Sequence, residues 1–369
     1  MSNKISTGNQ RDRKILRPAF ESNAEAWCFL ALVVFTLALP VLITESGLIS
    51  RQNSYEIMPE NQGAFSFVKN ETFENTEDID ILFVGSSVTF GSIDAPQIQQ
   101  ALSGVLGRPA RVKTFGHYFN SVDIAYMQIR DLLERKRVRQ IVFSIPRVPY
   151  TEGPSPTAYK FIRYSDDGEL FDKLSLKSKI SLYACTVLRS PHDLLTIIRP
   201  NLSKPSPFAE NLGADKANLG MEHDPDKFVR FTPTSPSISG RELIYSFETQ
   251  ERFHFTDEEI TNHQNLYLKK LIALLERKNV PLMIINIPQY TEIHNTKIVE
   301  LKDWSEHFGK PIPIVGVPPT VLFAGLSEKE VESLYYDEIH FNANGNEFFT
   351  RTILPAILEI YEKNETKNY

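Results

Sequence analysis

From Ala26 to Thr44 the chain runs through 19 residues without a charge, AWCFLALVVFTLALPVLIT, and no other feature constrains it as strongly. At 1.5 Å per residue a helix of this length reaches about 28 Å, close to the hydrocarbon thickness of a bilayer. Trp27 stands at one end, where an indole favours the headgroup level. Pro40 lies near the other end, where a spanning helix tolerates it. Lys4, Arg11, Arg13, Lys14 and Arg17 precede the segment, against Asp12, Glu21 and Glu25; Glu45, Arg51, Glu56 and Glu60 follow it. This basic excess predicts a single-pass anchor, residues 26–44, with residues 1–25 in the cytoplasm and everything past about residue 45 outside it. A cleaved signal peptide and a buried core helix are the competing expectations. A signal peptide needs a shorter apolar core and a small-x-small cleavage site, and LPVLITESGL offers no good one.

The remainder is ordinary folded protein. The whole chain has 369 residues, 41% of them hydrophobic and 23% charged, enough for a sizeable core and too apolar for a disordered chain. A net charge of −6 argues against a nucleic-acid partner, which usually calls for a basic stripe. Cys28 falls in the anchor and Cys185 in the body, so the two are not expected to pair.

Residues 45–77 are polar and irregular and read as a stalk between membrane and domain. Beyond them, Ile81–Val84 is a short apolar run ending at Gly85, as in a strand buried on both faces. Helical periodicity follows over 95–106, a strand over 111–115, a helix over 121–137 and a strand over 140–145. Strands alternating with helices at this spacing predict a parallel α/β sheet. The alternation stops at Pro146. Up to about residue 250 the chain reads as a long insertion with little sheet of its own and one helix near 173–188. The pattern resumes with a helix over 256–279, a strand over 280–287, a helix over 295–308, a strand over 312–315 and a last helix over 344–363.

Two segments carry candidate chemistry. Gly85-Ser86-Ser87-Val88-Thr89-Phe90-Gly91 follows the first strand and opens a helix, at the end of a parallel strand where ligand crevices form. A serine there is placed as a nucleophile, but its hydroxyl needs a base and a group to orient that base. Tyr336-Asp337-Glu338-Ile339-His340-Phe341-Asn342-Ala343-Asn344-Gly345, just before the last helix, supplies both. Asp337 and His340 are three residues apart. The carboxylate would fix the imidazole tautomer, leaving the other ring nitrogen to take the Ser87 proton. His223 and His254, with Glu222 and Asp224 nearby, match no common ligand spacing, so no metal site is expected, and no cofactor.

GSSVTFG resembles the GDSLTxG signature of the SGNH, or GDSL, hydrolases, with Ser86 in place of the Asp and Val88 in place of the Leu. DEIHFNANG resembles that family's closing DxxHxNxxG block. The resemblance spans roughly residues 78–145 and 256–363. It implies a flavodoxin-like three-layer α/β/α sandwich, the SGNH hydrolase fold, with Ser87 as nucleophile, His340 as base and Asp337 as its orienting acid. Two further family blocks depart from the pattern. Thr114-Phe115-Gly116-His117-Tyr118-Phe119-Asn120-Ser121 keeps the first glycine of NxGxxGxT but has Phe119 for the second. Ser144-Ile145-Pro146-Arg147 holds no asparagine where GxND is usual. The oxyanion donors implied are then the Ser87 N–H with Gly116 or Asn120, and Arg147 as a nearby cation.

An anchor, a degenerate asparagine block and a long insertion make the chain similar to the extracytoplasmic SGNH-like proteins of alginate acetylation and of teichoic acid D-alanine transfer. That similarity implies O-acylation, most simply O-acetylation, of an envelope or exported polysaccharide. It also implies a membrane-bound O-acyltransferase as partner and a periplasmic or extracellular domain on a bacterial inner membrane. A carbohydrate or lipid esterase and an inactive SGNH-like scaffold are the alternative expectations.

Overall fold

Ile79–Ser86 forms the first strand, β1, and every residue of it is buried. Its apolar run has no polar face because both sides of the sheet are covered. β1 pairs in parallel with β2 (Val112–His117) on one side and β3 (Val138–Ser144) on the other. Beyond β3 lie β5 (Leu282–Ile285) and β6 (Pro313–Val315), both parallel; β4 (Ile244–Ser246) closes the edge antiparallel to β6. The sheet order is β2-β1-β3-β5-β6-β4. This computed structural model describes residues 20, 22–58, 64–117, 122–144, 158–184, 190–199, 238–239, 241–246, 262–296 and 312–367.

Alternate side chains of the strands enter two separate cores. Ile81, Phe83, Val142 and Met283 pack with Ile98 and Leu102 of α5 (Ala95–Leu106) and with Phe348 and Ile357 of α13 (Ala343–Lys367). Leu82, Val84, Ile141 and Phe143 face the other way, onto Ile129 and Leu132 of α6 (Val122–Leu133) and Leu268 and Leu271 of α10 (Asn262–Arg277). The protein is therefore α/β, with a largely parallel sheet between helices. α5 has the expected bounds because its ends are coded locally. The Asp94 side chain accepts the Gln97 N–H, Pro96 occupies the first turn, and Gly107 takes the left-handed conformation that stops the helix. α6 stops at Leu133, short of the expected Arg137. Arg137 donates its N–H to Asp78 and already leads into β3. Short helices α11 (Pro319–Leu322) and α12 (Glu328–Glu332) lie between β6 and α13.

Asn23–Glu45 is a single helix, α1, long and apolar enough to cross a membrane. Ser22 caps its start, and the hydroxyls of Thr36 and Thr44 donate to carbonyls one turn back, so neither is left unsatisfied. Trp27, Phe29, Leu32, Val34 and Phe35 are all exposed, unlike the side chains of a core helix. Cys28 is exposed and unpaired; Cys185 lies outside the described residues.

Two expectations change. The segment after the anchor is not an irregular stalk. It forms α2 (Arg51–Glu56), α3 (Phe65–Lys69) and a π-helical turn (Asn70–Glu74) packed on the domain, and Tyr55, Phe65 and Val68 enter its core. Tyr55 and Phe65 both contact Phe161, and the Tyr55 hydroxyl donates to Asp131 on α6. The insertion holds three described helices rather than one: α7 (Tyr164–Lys173), α8 (Leu176–Leu182) and α9 (Ser190–Ile198). Ser175 caps α8 and separates it from α7, an interruption the apolar spacing hides. The helix expected at 295–308 falls mostly outside the described residues, as do His223 and His254.

Candidate active site

Strands β1 and β2 end side by side with Gly85 opposite Gly116. A methyl at Gly85 would sit 2.9 Å from Thr89 Cβ and 3.0 Å from Ser144 Cβ; one at Gly116 would be 2.5 Å from the Phe90 ring. The two glycines let the short helix α4 (Ser87–Ser92) fold tightly over the strand ends. Ser86 is its N-cap and its Oγ accepts the Val88 N–H at 3.3 Å. Serine caps a helix as well as aspartate does, so Ser86 holds the turn. Ser87 is the first residue of α4, half-buried.

Asp337 and His340 reach Ser87 on a clamped loop. An antiparallel bridge joins Tyr335 to Phe341, the Tyr336 N–H donates to the His340 carbonyl, and the Asn342 N–H donates to that of Leu334. The segment leaving β5 holds the loop from outside: the Tyr335 hydroxyl donates to the Pro288 carbonyl, and the Tyr290 N–H to that of Glu338. The Asn342 side chain donates to the Ser333 carbonyl and accepts the N–H groups of Asn344 and Gly345, fixing the entry into α13. Gly345 is required there, because a side chain would run into the Leu334 carbonyl and sit 2.5 Å from the Phe341 ring.

The outcome is a continuous hydrogen-bonded line. Ser87 Oγ lies 2.9 Å from His340 Nε2, and His340 Nδ1 lies 2.9 and 2.8 Å from the two Asp337 carboxylate oxygens. Burial pushes the Asp337 carboxyl up. The hydrogen bonds from the His340 ring and from the Ile339 and His340 backbone N–H groups outweigh it and hold the pKa below the usual carboxylate value. An ionised carboxylate only accepts, so Nδ1 carries the imidazole proton and Nε2 presents its lone pair to the Ser87 hydroxyl. That is the arrangement in which a serine hydroxyl can be deprotonated as it attacks. His340 is buried, while the Asp337 side chain is 43% exposed.

Ser87, His340 and Asp337 are thus brought together from the two motifs. Gly116 lies in β2 beside the site and has a packing reason of its own, the Phe90 ring. Asn120 and Arg147 lie outside the described residues. Sequence reasoning assigned no role to Asn342 or Gly345, although both stood in the closing motif. It missed Asn346 and Thr350, which donate to the Gly91 and Ser92 carbonyls and tie α13 to α4. Their only signal was a four-residue spacing on a helix face. Comparison with known protein families and with curated proteins finds no match.

Proposed function

We propose that this chain is a membrane-anchored SGNH-like serine acyltransferase that O-acetylates an exported or cell-envelope polysaccharide. The carrying observation is the 2.9 Å contact between Ser87 and His340, backed by Asp337 and made across 253 residues of sequence. The order of the parallel strands adds support. Numbered among themselves they run 2-1-3-4-5, the flavodoxin-like order, and Ser87 sits at the carboxyl end of the first.

In this reading His340 takes the Ser87 proton as Oγ attacks the acyl carbonyl. The Ser87 N–H and a donor at Gly116 or Asn120 would meet the oxyanion, with Arg147 as the nearby cation. His340 returns the proton to the leaving group, and an acyl ester remains on Ser87. A sugar hydroxyl then gives its proton to His340 and attacks the ester, regenerating Ser87. α1 anchors the domain outside the cytoplasm, beside a membrane-bound O-acyltransferase that supplies the acyl group.

The test is acyl release from p-nitrophenyl acetate with and without an oligosaccharide acceptor, with mass analysis of Ser87. Acetyl on the sugar supports transfer, and free acetate alone makes the protein an esterase. No acyl-Ser87, together with unchanged function of Ser87→Ala, would leave a scaffold and end the enzymatic reading.

A further inference from the structure

The insertion packs back onto α1. Ser190 Oγ, at the first residue of α9, donates to the Pro40 carbonyl over 2.9 Å, and the Tyr183 hydroxyl, just past α8, donates to the Leu37 carbonyl over 2.6 Å. Both carbonyls belong to the uncharged stretch. Counting back along the helix from Glu45, the first charge after it, Pro40 lies about 7 Å and Leu37 about 12 Å inside. The buried residues of α1 are Pro40, Ile43 and Thr44, all at this end.

Around these contacts the insertion turns apolar side chains outward. Leu176 and Ile180, one turn apart on α8, are 74% and 62% exposed; Leu195 and Ile198 on α9 are 57% and 64% exposed. A single exposed aliphatic needs no explanation, but four on two consecutive short helices do. From Leu174 to Ala184 the only charges are Lys177 and Lys179, with no acid among them, and Arg199 follows α9.

We propose that α8 and α9 form an interfacial membrane patch, with Leu176, Ile180, Leu195 and Ile198 inserted at the headgroup–acyl boundary of the leaflet from which α1 emerges. The depth at which Ser190 meets α1, about 7 Å, falls within the roughly 5–10 Å to which an amphipathic helix sinks its apolar face, and the Tyr183 hydroxyl reaches one turn deeper. Tyr183 has the amphipathic ring that favours this level, and Lys177, Lys179 and Arg199 suit phospholipid phosphates. The occupant is lipid because the patch is continuous with a helix of bilayer length. The domain is then held against the membrane at a second point instead of swinging on a tether. The proposal rests on α1 spanning the bilayer, and not on the chemistry of Ser87.

The test uses the full chain with Cys28→Ser and Cys185→Ser, reconstituted into phospholipid vesicles. Single cysteines carrying an environment-sensitive fluorophore are placed by Phe35→Cys in α1, Ile180→Cys, Ile198→Cys, and Lys329→Cys on exposed α12. Emission from Ile180→Cys and Ile198→Cys should shift to the blue and be lost to nitroxide-bearing lipids, as for Phe35→Cys; Lys329→Cys should show neither change. If the two insertion sites behave like Lys329→Cys while Phe35→Cys is quenched, the patch is wrong and the anchor stands. If Phe35→Cys escapes quenching too, the anchor fails and takes the patch with it. Shielding of the insertion sites from aqueous iodide without quenching by lipid would mean a protein cover, and also overturns the proposal.

Discussion

Replacing Asp337 by asparagine tests the site more sharply than removing the nucleophile, because it keeps the shape and changes only the proton inventory. The carboxylate accepts from the Ile339 and His340 backbone N–H groups through Oδ1 and from the imidazole Nδ1–H through both oxygens. An asparagine oxygen can still accept the two backbone N–H groups. Its amide then faces Nδ1 and donates to it, which moves the imidazole proton to Nε2. That nitrogen would point an N–H at the Ser87 hydroxyl and could no longer accept its proton. In a fully buried triad this tautomer error costs about 10⁴ in rate, or roughly 5 kcal/mol of barrier. Asp337 is 43% exposed, and solvent screens part of its field. The expected loss is therefore smaller, between about 100- and 1000-fold. The assay is the rate of Ser87 acylation by p-nitrophenyl acetate, followed as a burst. The wild-type carboxyl titrates below its ordinary 3.8, so it stays ionised above about pH 5, where the comparison belongs. Circular dichroism checks that the loop variant is folded. A folded Asp337→Asn that acylates at the wild-type rate would refute the reasoning, since the carboxylate would then be a loop-forming residue only.

Other consequences are structural. Asp80, buried in β1, accepts two bonds from Arg108 and the Arg111 N–H, and Arg139 lies 3.4 Å away. Burial raises its pKa, but these partners outweigh burial and hold it below 3.8. Its stabilisation is thus full above the unfolded value and disappears as pH falls through the lower folded one. Asp80→Asn should cost about 3 kcal/mol near neutrality and flatten the acid limb of a denaturation profile. Gly345→Ala, with no room beside the Leu334 carbonyl and the Phe341 ring, should destabilise by about 1–3 kcal/mol in thermal melts and slow acylation as the His340 loop shifts. Tyr55→Phe removes the buried bond to Asp131 and should cost about 1–2 kcal/mol, with faster proteolysis between residues 45 and 77. The full chain should stay with membranes through an alkaline carbonate wash.

The legible parts of the sequence were those whose coding is local. β1 is built around the continuous apolar run Ile81–Val84, and α5 has a cap, a proline and a glycine at its ends, so the run lies inside the strand and α5 has its expected bounds. The stalk was misread because its composition is polar while three residues, Tyr55, Phe65 and Val68, do the packing; their partners, such as Phe161, lie a hundred residues away. The insertion's helices are short and interrupted, and α8 and α9 leave Leu176, Ile180, Leu195 and Ile198 exposed. Hydrophobic periodicity marks a helix by its buried face, so it is a poor guide where apolar side chains point outward. The meeting of Ser87, His340 and Asp337 is foreshadowed by two weak motifs that flank one sheet. Asn346 and Thr350 share only a four-residue helical spacing, which does not say that they bond to the Gly91 and Ser92 carbonyls of α4.

α1 and the candidate site are linked through the same stretch of chain. Arg51 on α2 pairs with Asp131 and Glu134 at the end of α6, and Tyr55 reaches Asp131 a turn later. α3 then delivers Ala64 and Phe67 against Phe90 of α4, whose first residue is Ser87. The segment after α1 is thus part of the packing behind Ser87. A free linker would leave α4 untouched, and this one does not. Loosening it should therefore reach the chemistry. Ala64→Ser or Phe67→Ala, both remote from the acyl group, should slow acylation of Ser87 in the purified full chain, whereas an equally destabilising Leu275→Ala near the far end of α10 should not.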